Sequence, residues 1–275
     1  SGPAQPYLNY ALYLLIYYCP DEAEIDDSLR KNNINRLNTD MFFRQSYDVT
    51  YRLPLIENFT SLHELEINLR SFNLDYSKPK DILKNSSVEK MRINDPIKSL
   101  MWLKNFPQLN DLYIEADGYG EATKDLHVFE YLTNLEELSM TNPNSENIDF
   151  LKNCVNIKKL NIDLNGSYSS ASSVQNIDAL KYLTKLEELD ISVPKDGESF
   201  SHEGLSYCKK LKNLIISSAA ATNVLENLKS CSELEKLELY SSSEFNIKLS
   251  TSNFYGINKF DKLKSLNLDG TMIKF

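Results

Sequence analysis

Apolar and polar residues alternate in short runs along most of the chain. In the stretch LKNCVNIKKLNI (151–162) and just beyond, Leu160 and Ile162 alternate with Lys159, Asn161 and Asp163. Such alternation predicts a half-buried β-strand with one face turned inward and the other outward. Upstream, Leu151 and Cys154 stand three apart. That spacing suits a short helix or 3₁₀ turn on the opposite side of a core.

The frame L-x-x-C-x-x-L-x-x-L-x-L recurs. It returns with cysteine at 205–216 and 228–239, and without cysteine at 56–67, 82–93, 103–114, 129–140, 180–191 and 257–268. Nine copies at offsets of 21–29 residues predict a solenoid, because one copy cannot bury its apolar side alone and stacked copies can. The column through Cys154 reads Phe59, Asn85, Phe106, Leu132, Cys154, Leu183, Cys208, Cys231 and Phe260. A column this apolar predicts core thiols rather than ligands or nucleophiles. A disulfide between Cys208 and Cys231, in adjacent copies, is the alternative.

This pattern resembles the leucine-rich repeat family over about residues 56–273. The resemblance implies an α/β solenoid: a curved horseshoe with a parallel β-sheet on the concave face and short helices or 3₁₀ turns on the convex face. It also implies a non-catalytic module that binds a protein partner on the concave side. The family often carries Asn three residues after the last apolar strand position, and here only Asn165 fits. The cysteine-bearing copies resemble the cysteine-containing subtype, common in substrate receptors of ubiquitin ligases, although its second cysteine is absent.

Residues 1–55 stand outside the frame. Stretches 7–18 and 26–43 have apolar spacing that predicts helices, so a helical N-terminal cap over 1–55 is expected before a repeat domain at 56–275. The leading Ser-Gly-Pro resembles an expression scar. The chain stops soon after the ninth expected strand, as a C-terminal truncation, or an edge covered by another chain, would leave it.

Charge and composition narrow the function. A net charge of −9 and a pI near 5.0 make nucleic acid and anionic membrane poor partners. The apolar run 10–19 is short of the roughly 20 residues that a bilayer span needs. No GxSxG, P-loop or HExxH motif occurs, the three histidines fall on different parts of the repeat, and the four cysteines are widely spaced. No catalytic residue, metal site or cofactor is expected, and the chain is not expected to be an enzyme. The lack of cysteine-rich caps favours an intracellular protein, cytoplasmic or nuclear, over a secreted or surface one.

With this strand register, 27 outward positions carry ten acidic and four basic residues. The resulting excess of six negative charges points to a partner with a basic surface. The candidate partner-binding residues are Tyr113, Glu115, Glu137, Asp163, Glu188, Asp190, Ile215, Glu238 and Tyr240, the aromatic and aliphatic ones serving as anchors. Two narrower readings stand beside this one: the substrate-recognition part of a ubiquitin ligase complex, or a pathogen effector or surface protein engaging a host protein. Three long connections, 115–128, 163–179 and 240–256, read as length drift or as functional loops.

Overall fold

The computed structural model describes residues 34–38, 57, 59–67, 84–94, 99–115, 125–141, 143, 145–164, 174, 176–193, 201–217, 224–240, 247–250, 260–269 and 271–274. Among them, ten strands form one parallel sheet: β1 (Arg36–Asn38), β2 (Glu64–Ile67), β3 (Lys90–Ile93), β4 (Asp111–Ile114), β5 (Glu137–Thr141), β6 (Lys159–Asp163), β7 (Glu188–Ser192), β8 (Asn213–Ser217), β9 (Lys236–Tyr240) and β11 (Ser265–Asp269). The strands lie in chain order, so the chain winds forward one strand per coil. This is a parallel-sheet solenoid, as the repeated frame predicts.

Every neighbouring pair of strands is in register with no offset. Leu65, Met91, Leu112, Leu138, Leu160, Leu189, Leu214, Leu237 and Leu266 stand side by side across the sheet. Ile67 begins a second such column that runs through Ile162 and Ile191 to Leu268. From β2 to β9 both columns are buried.

The opposite layer consists of 3₁₀ segments: Met101–Asn105, Leu126–Tyr131, Asp149–Leu151, Asp178–Tyr182, Glu203–Tyr207 and Leu228–Ser230. Among the described residues one four-residue helix, α1 (Val224–Asn227), precedes the last of these. Spacing by three is the period of a 3₁₀ turn, which is why L-x-x-C closes here rather than in an α-helix. Strands stack about 4.8 Å apart while these segments are bulkier, so the sheet takes the inner, concave side.

Two elements depart from expectation. The stretch 26–43 was expected to be helical, yet Arg36–Asn38 is a strand paired parallel to β2. Ile34 and Leu37 are buried, and the Asn35 carbonyl accepts from the amides of His63 and Glu64, both at 2.9 Å. The otherwise open edge of β2 is thereby paired, which outweighs the local helical spacing. The rest of the expected cap lies outside the described residues. Within the long connection 240–256, β10 (Ile247–Ser250) pairs parallel with β12 (Thr271–Lys274) in a separate two-stranded sheet. The other two long connections lie largely outside the described residues.

The cysteine column is a column of core thiols. Cys154, Cys208 and Cys231 are free and buried. Each donates to a carbonyl of the preceding coil: Cys154 Sγ to Phe129 O at 3.4 Å, Cys208 Sγ to Leu180 O at 3.8 Å and Cys231 Sγ to Leu205 O at 3.5 Å. Asn85, the polar member of the column, makes the same link, its Nδ2 donating to Phe59 O at 3.0 Å. Burial pushes the thiols up to about 12, about 12 and about 11 respectively. The thiolate is the reactive form, so all three are expected to be inert near neutral pH. A maleimide reagent at pH 8 labels none of them in native buffer and all of them in denaturant; rapid native labelling would contradict this packing.

Candidate interaction site on the strand face

Flat register has an electrostatic consequence. Each outward side chain stands beside its counterpart from the next coil, so a column of identical charges would repel. The residue just before each strand shows the solution. Its carbonyl accepts two amides of the next coil, as Glu136 O does from Lys158 N at 2.7 Å and Lys159 N at 3.1 Å. The column locked in this way runs Glu136, Lys158, Glu187, Lys212, Glu235, Lys264. Ion pairs close between Lys158 and Glu136 at 2.6 Å, Lys212 and Glu187 at 2.6 Å, and Lys264 and Glu235 at 2.7 Å. Both Glu187 and Glu235 are held below the usual carboxylate range, by their lysine hydrogen bonds first and the lysine charges second. Exposed pairs of this kind add little stability singly. Within this column they keep neighbouring coils free of like-charge contacts.

The first outward column within the strands is also largely ion-paired, although Asp111 and Glu137 stand side by side in it. Arg36 reaches Glu64 at 3.3 Å, Lys90 reaches Asp111 at 3.2 Å, and Lys159 lies 3.7 Å from Glu137 and 3.8 Å from Glu188. The acidic excess on this face is therefore largely paired within the sheet. Asp190 differs. It is half-buried in the second outward column, flanked across the sheet by Asn161 and Ile215, and makes no ion pair among the described residues. Burial, reinforced by the charges of Glu238 and Asp163 and opposed by Lys236, raises its pKa above the usual carboxylate value.

A hollow of about 370 Å³ opens on this face across β3–β8. Its lining includes Tyr113, Glu137, Glu188, Asp190 and Ile215, five of the nine candidate residues. Tyr113 forms one wall. The Arg92 guanidinium lies 4.1 Å from its ring centroid, and the phenol donates to Glu115 Oε2 at 3.1 Å. Burial and that hydrogen bond raise the phenol's pKa.

The other four candidates are not in the lining. Glu115 stands exposed beside Tyr113, and Asp163 sits at the end of β6. Glu238 and Tyr240 form a separate group on β9: the Tyr240 hydroxyl donates to Glu238 Oε2 at 2.9 Å, and Lys236 pairs with Glu238 at 3.0 Å. Arg92, Asp111, Lys159, Asn161 and Asn213 line the hollow but were absent from the candidate set. Their outward position was readable from alternation; selection by negative charge and aromaticity passed over the cations and amides, and Asp111 was omitted although it is acidic.

No group of three or more His, Cys, Asp or Glu among the described residues is arranged to hold a metal ion. Among the same residues no helix is long and apolar enough to cross a membrane.

No protein-family model matches the sequence, and no curated protein matches it. Among solved structures, an internalin (inlF) from Listeria monocytogenes str. 4b F2365 is similar, at 16% identity and a TM-score of 0.47, over 99% of this chain and 92% of that one. An internalin C2 (inlC2) from the same strain gives 17% identity and a TM-score of 0.48, over 83% of this chain and 89% of that one. At such low values neither likeness bears on site or partner, and the functional reading stands on the geometry.

Proposed function

We propose that the chain is a non-catalytic protein-interaction module whose strand face receives a basic segment of a protein partner. The observation that carries this reading is the hollow across β3–β8, where an aromatic wall and an aliphatic floor surround a half-buried carboxylate with no ion pair among the described residues. Tyr113 and Ile215 supply apolar area that a partner side chain covers. Asp190 supplies a charge already partly stripped of water, so a lysine or arginine from the partner gains more here than at an open surface. Glu188 and Glu137, shared with Lys159, form an adaptable rim that steers a cation inward.

A display library of 12-residue peptides tests this. Basic peptides are expected among the binders, with affinity falling as salt rises. Reversal of Glu188 and Asp190 to Lys is expected to weaken the best of them tenfold or more, about 1.4 kcal/mol. Unchanged affinity in the reversed variant removes the site.

A further inference from the structure

The lysines of this solenoid fall into two populations. Those on and just before the strands of the ten-stranded sheet are neutralised, as are Lys84 and Lys262 at its two ends, paired with Glu57 at 2.8 Å and Glu233 at 2.6 Å. Those on the turn edge of the six coils between, from the end of each 3₁₀ segment towards the next strand, are not. The six turn windows 104–108, 130–134, 152–156, 181–185, 206–210 and 229–233 hold seven lysines and two glutamates, a local excess of five positive charges on a chain of net −9. None of the seven makes an ion pair among the described residues; Lys181 lies over the Tyr182 ring at 5.1 Å and Lys185 donates to Asn156 Oδ1 at 2.6 Å.

The same edge carries most of the exposed apolar bulk. Tyr131, Val155, Tyr182 and Tyr207 are 58%, 44%, 44% and 54% exposed, and of the large apolar residues described as exposed only Leu266 lies elsewhere. The three tyrosines are equivalent, each closing its 3₁₀ segment, and Val155 fills the coil between the first two. Each of four successive coils thus exposes one large apolar residue on this edge. Two of these turns are tied to the one before by side-chain hydrogen bonds: Asn134 Nδ2 donates to Pro107 O at 2.9 Å and Asn156 Nδ2 to Thr133 O at 2.8 Å.

We infer that this tyrosine and lysine edge is a second docking surface, and that it takes an acidic segment of a protein. Repeated tyrosines offer large contact area at low entropic cost, and exposed apolar stripes rimmed by charge mark interaction surfaces. The charge selects the occupant. Unpaired lysines call for carboxylates, yet the field of a chain at −9 repels an extended polyanion such as nucleic acid or an anionic bilayer. A short acidic segment feels mainly the local excess, within a Debye length of about 8 Å.

The peptide library described above also tests this, with a single-stranded oligonucleotide and phosphatidylserine vesicles as competing probes. The expected result is a set of peptides rich in Asp and Glu with interspersed apolar residues. Their affinity drops tenfold or more in Y182S/Y207S and in K209E/K210E, whose folding is checked by an unchanged Tm, and is kept in E188K/D190K. Several results would overturn the inference: no acidic peptides bind, both edge variants bind like the parent, E188K/D190K removes the binding, or an oligonucleotide or vesicle binds more tightly than any peptide. Edge-dependent self-association with no acidic peptide bound would overturn it too.

Discussion

Replacing Leu189 with alanine is expected to cost about 2–5 kcal/mol, the range for deleting a buried leucine and leaving part of its volume empty. Leu189 is buried on β7 between Leu160 and Leu214 in the first inward column. A solenoid concentrates the damage, because each coil rests only on its two neighbours and strands on both sides lose a partner. The melting midpoint should fall by roughly 4–10 °C, taking about 2 °C per kcal/mol for a chain of this length. L189M keeps most of the volume and should cost under about 1.5 kcal/mol. An unchanged midpoint in L189A would mean the strand faces the other way, since a one-residue slip exchanges inward and outward side chains.

The second large effect is expected at Gly204. Its equivalents in the preceding coils are Trp102, Val128, Phe150 and Ala179, so the column narrows to nothing at this coil. The segment Glu203–Tyr207 packs directly on Asp178–Tyr182, and a Cβ at Gly204 would meet Ile177 O at 2.5 Å and Asp178 Cα and O at 3.0 Å. Those atoms are backbone and cannot rotate away. G204A is therefore expected to lose about 3 kcal/mol, the upper part of the overpacking range, although alanine is the better helix former. Denaturant titration of the two proteins measures the difference. A G204A protein as stable as the parent would show that the two segments do not approach this closely.

Much of the fold was legible because one frame is written many times. Alternation at Leu160 and Ile162, repeated at Leu189 and Ile191, marks strand and inward face together, and the three-residue step from Leu151 to Cys154 marks the turn. What escaped lacked a repeated local signal. β1 has one apolar residue in three, Leu37, and its strand state comes from the edge of β2 that it covers. β10 does alternate, with Ile247 and Leu249, but its partner β12 lies more than twenty residues away, and no short pattern encodes that pairing.

The site was half legible for a related reason. Alternation placed Glu188, Asp190 and Tyr113 outward, but the neutralising effect of Lys159 on Glu137 and Glu188 depends on the in-register pairing of three strands. The acidity of the face is therefore smaller in effect than its count. Asp190 stands out by its half-burial and lack of an ion pair, neither of which is a sequence property. The tyrosine and lysine edge was spelled out in the chain at Tyr131, Tyr182 and Tyr207. Its meaning came from exposure and from seven lysines that make no ion pair among the described residues.

The central claim is that the strand-face hollow is where a basic partner docks. Carboxylate footprinting with a carbodiimide, on the chain alone and bound to the tightest basic peptide, tests it most directly. Labelling of Asp190, Glu188 and Glu137 should fall on binding, while Glu130, Glu203 and Glu226 on the 3₁₀ side label as before. Protection of Glu130, Glu203 and Glu226 with the hollow still labelled would contradict the account.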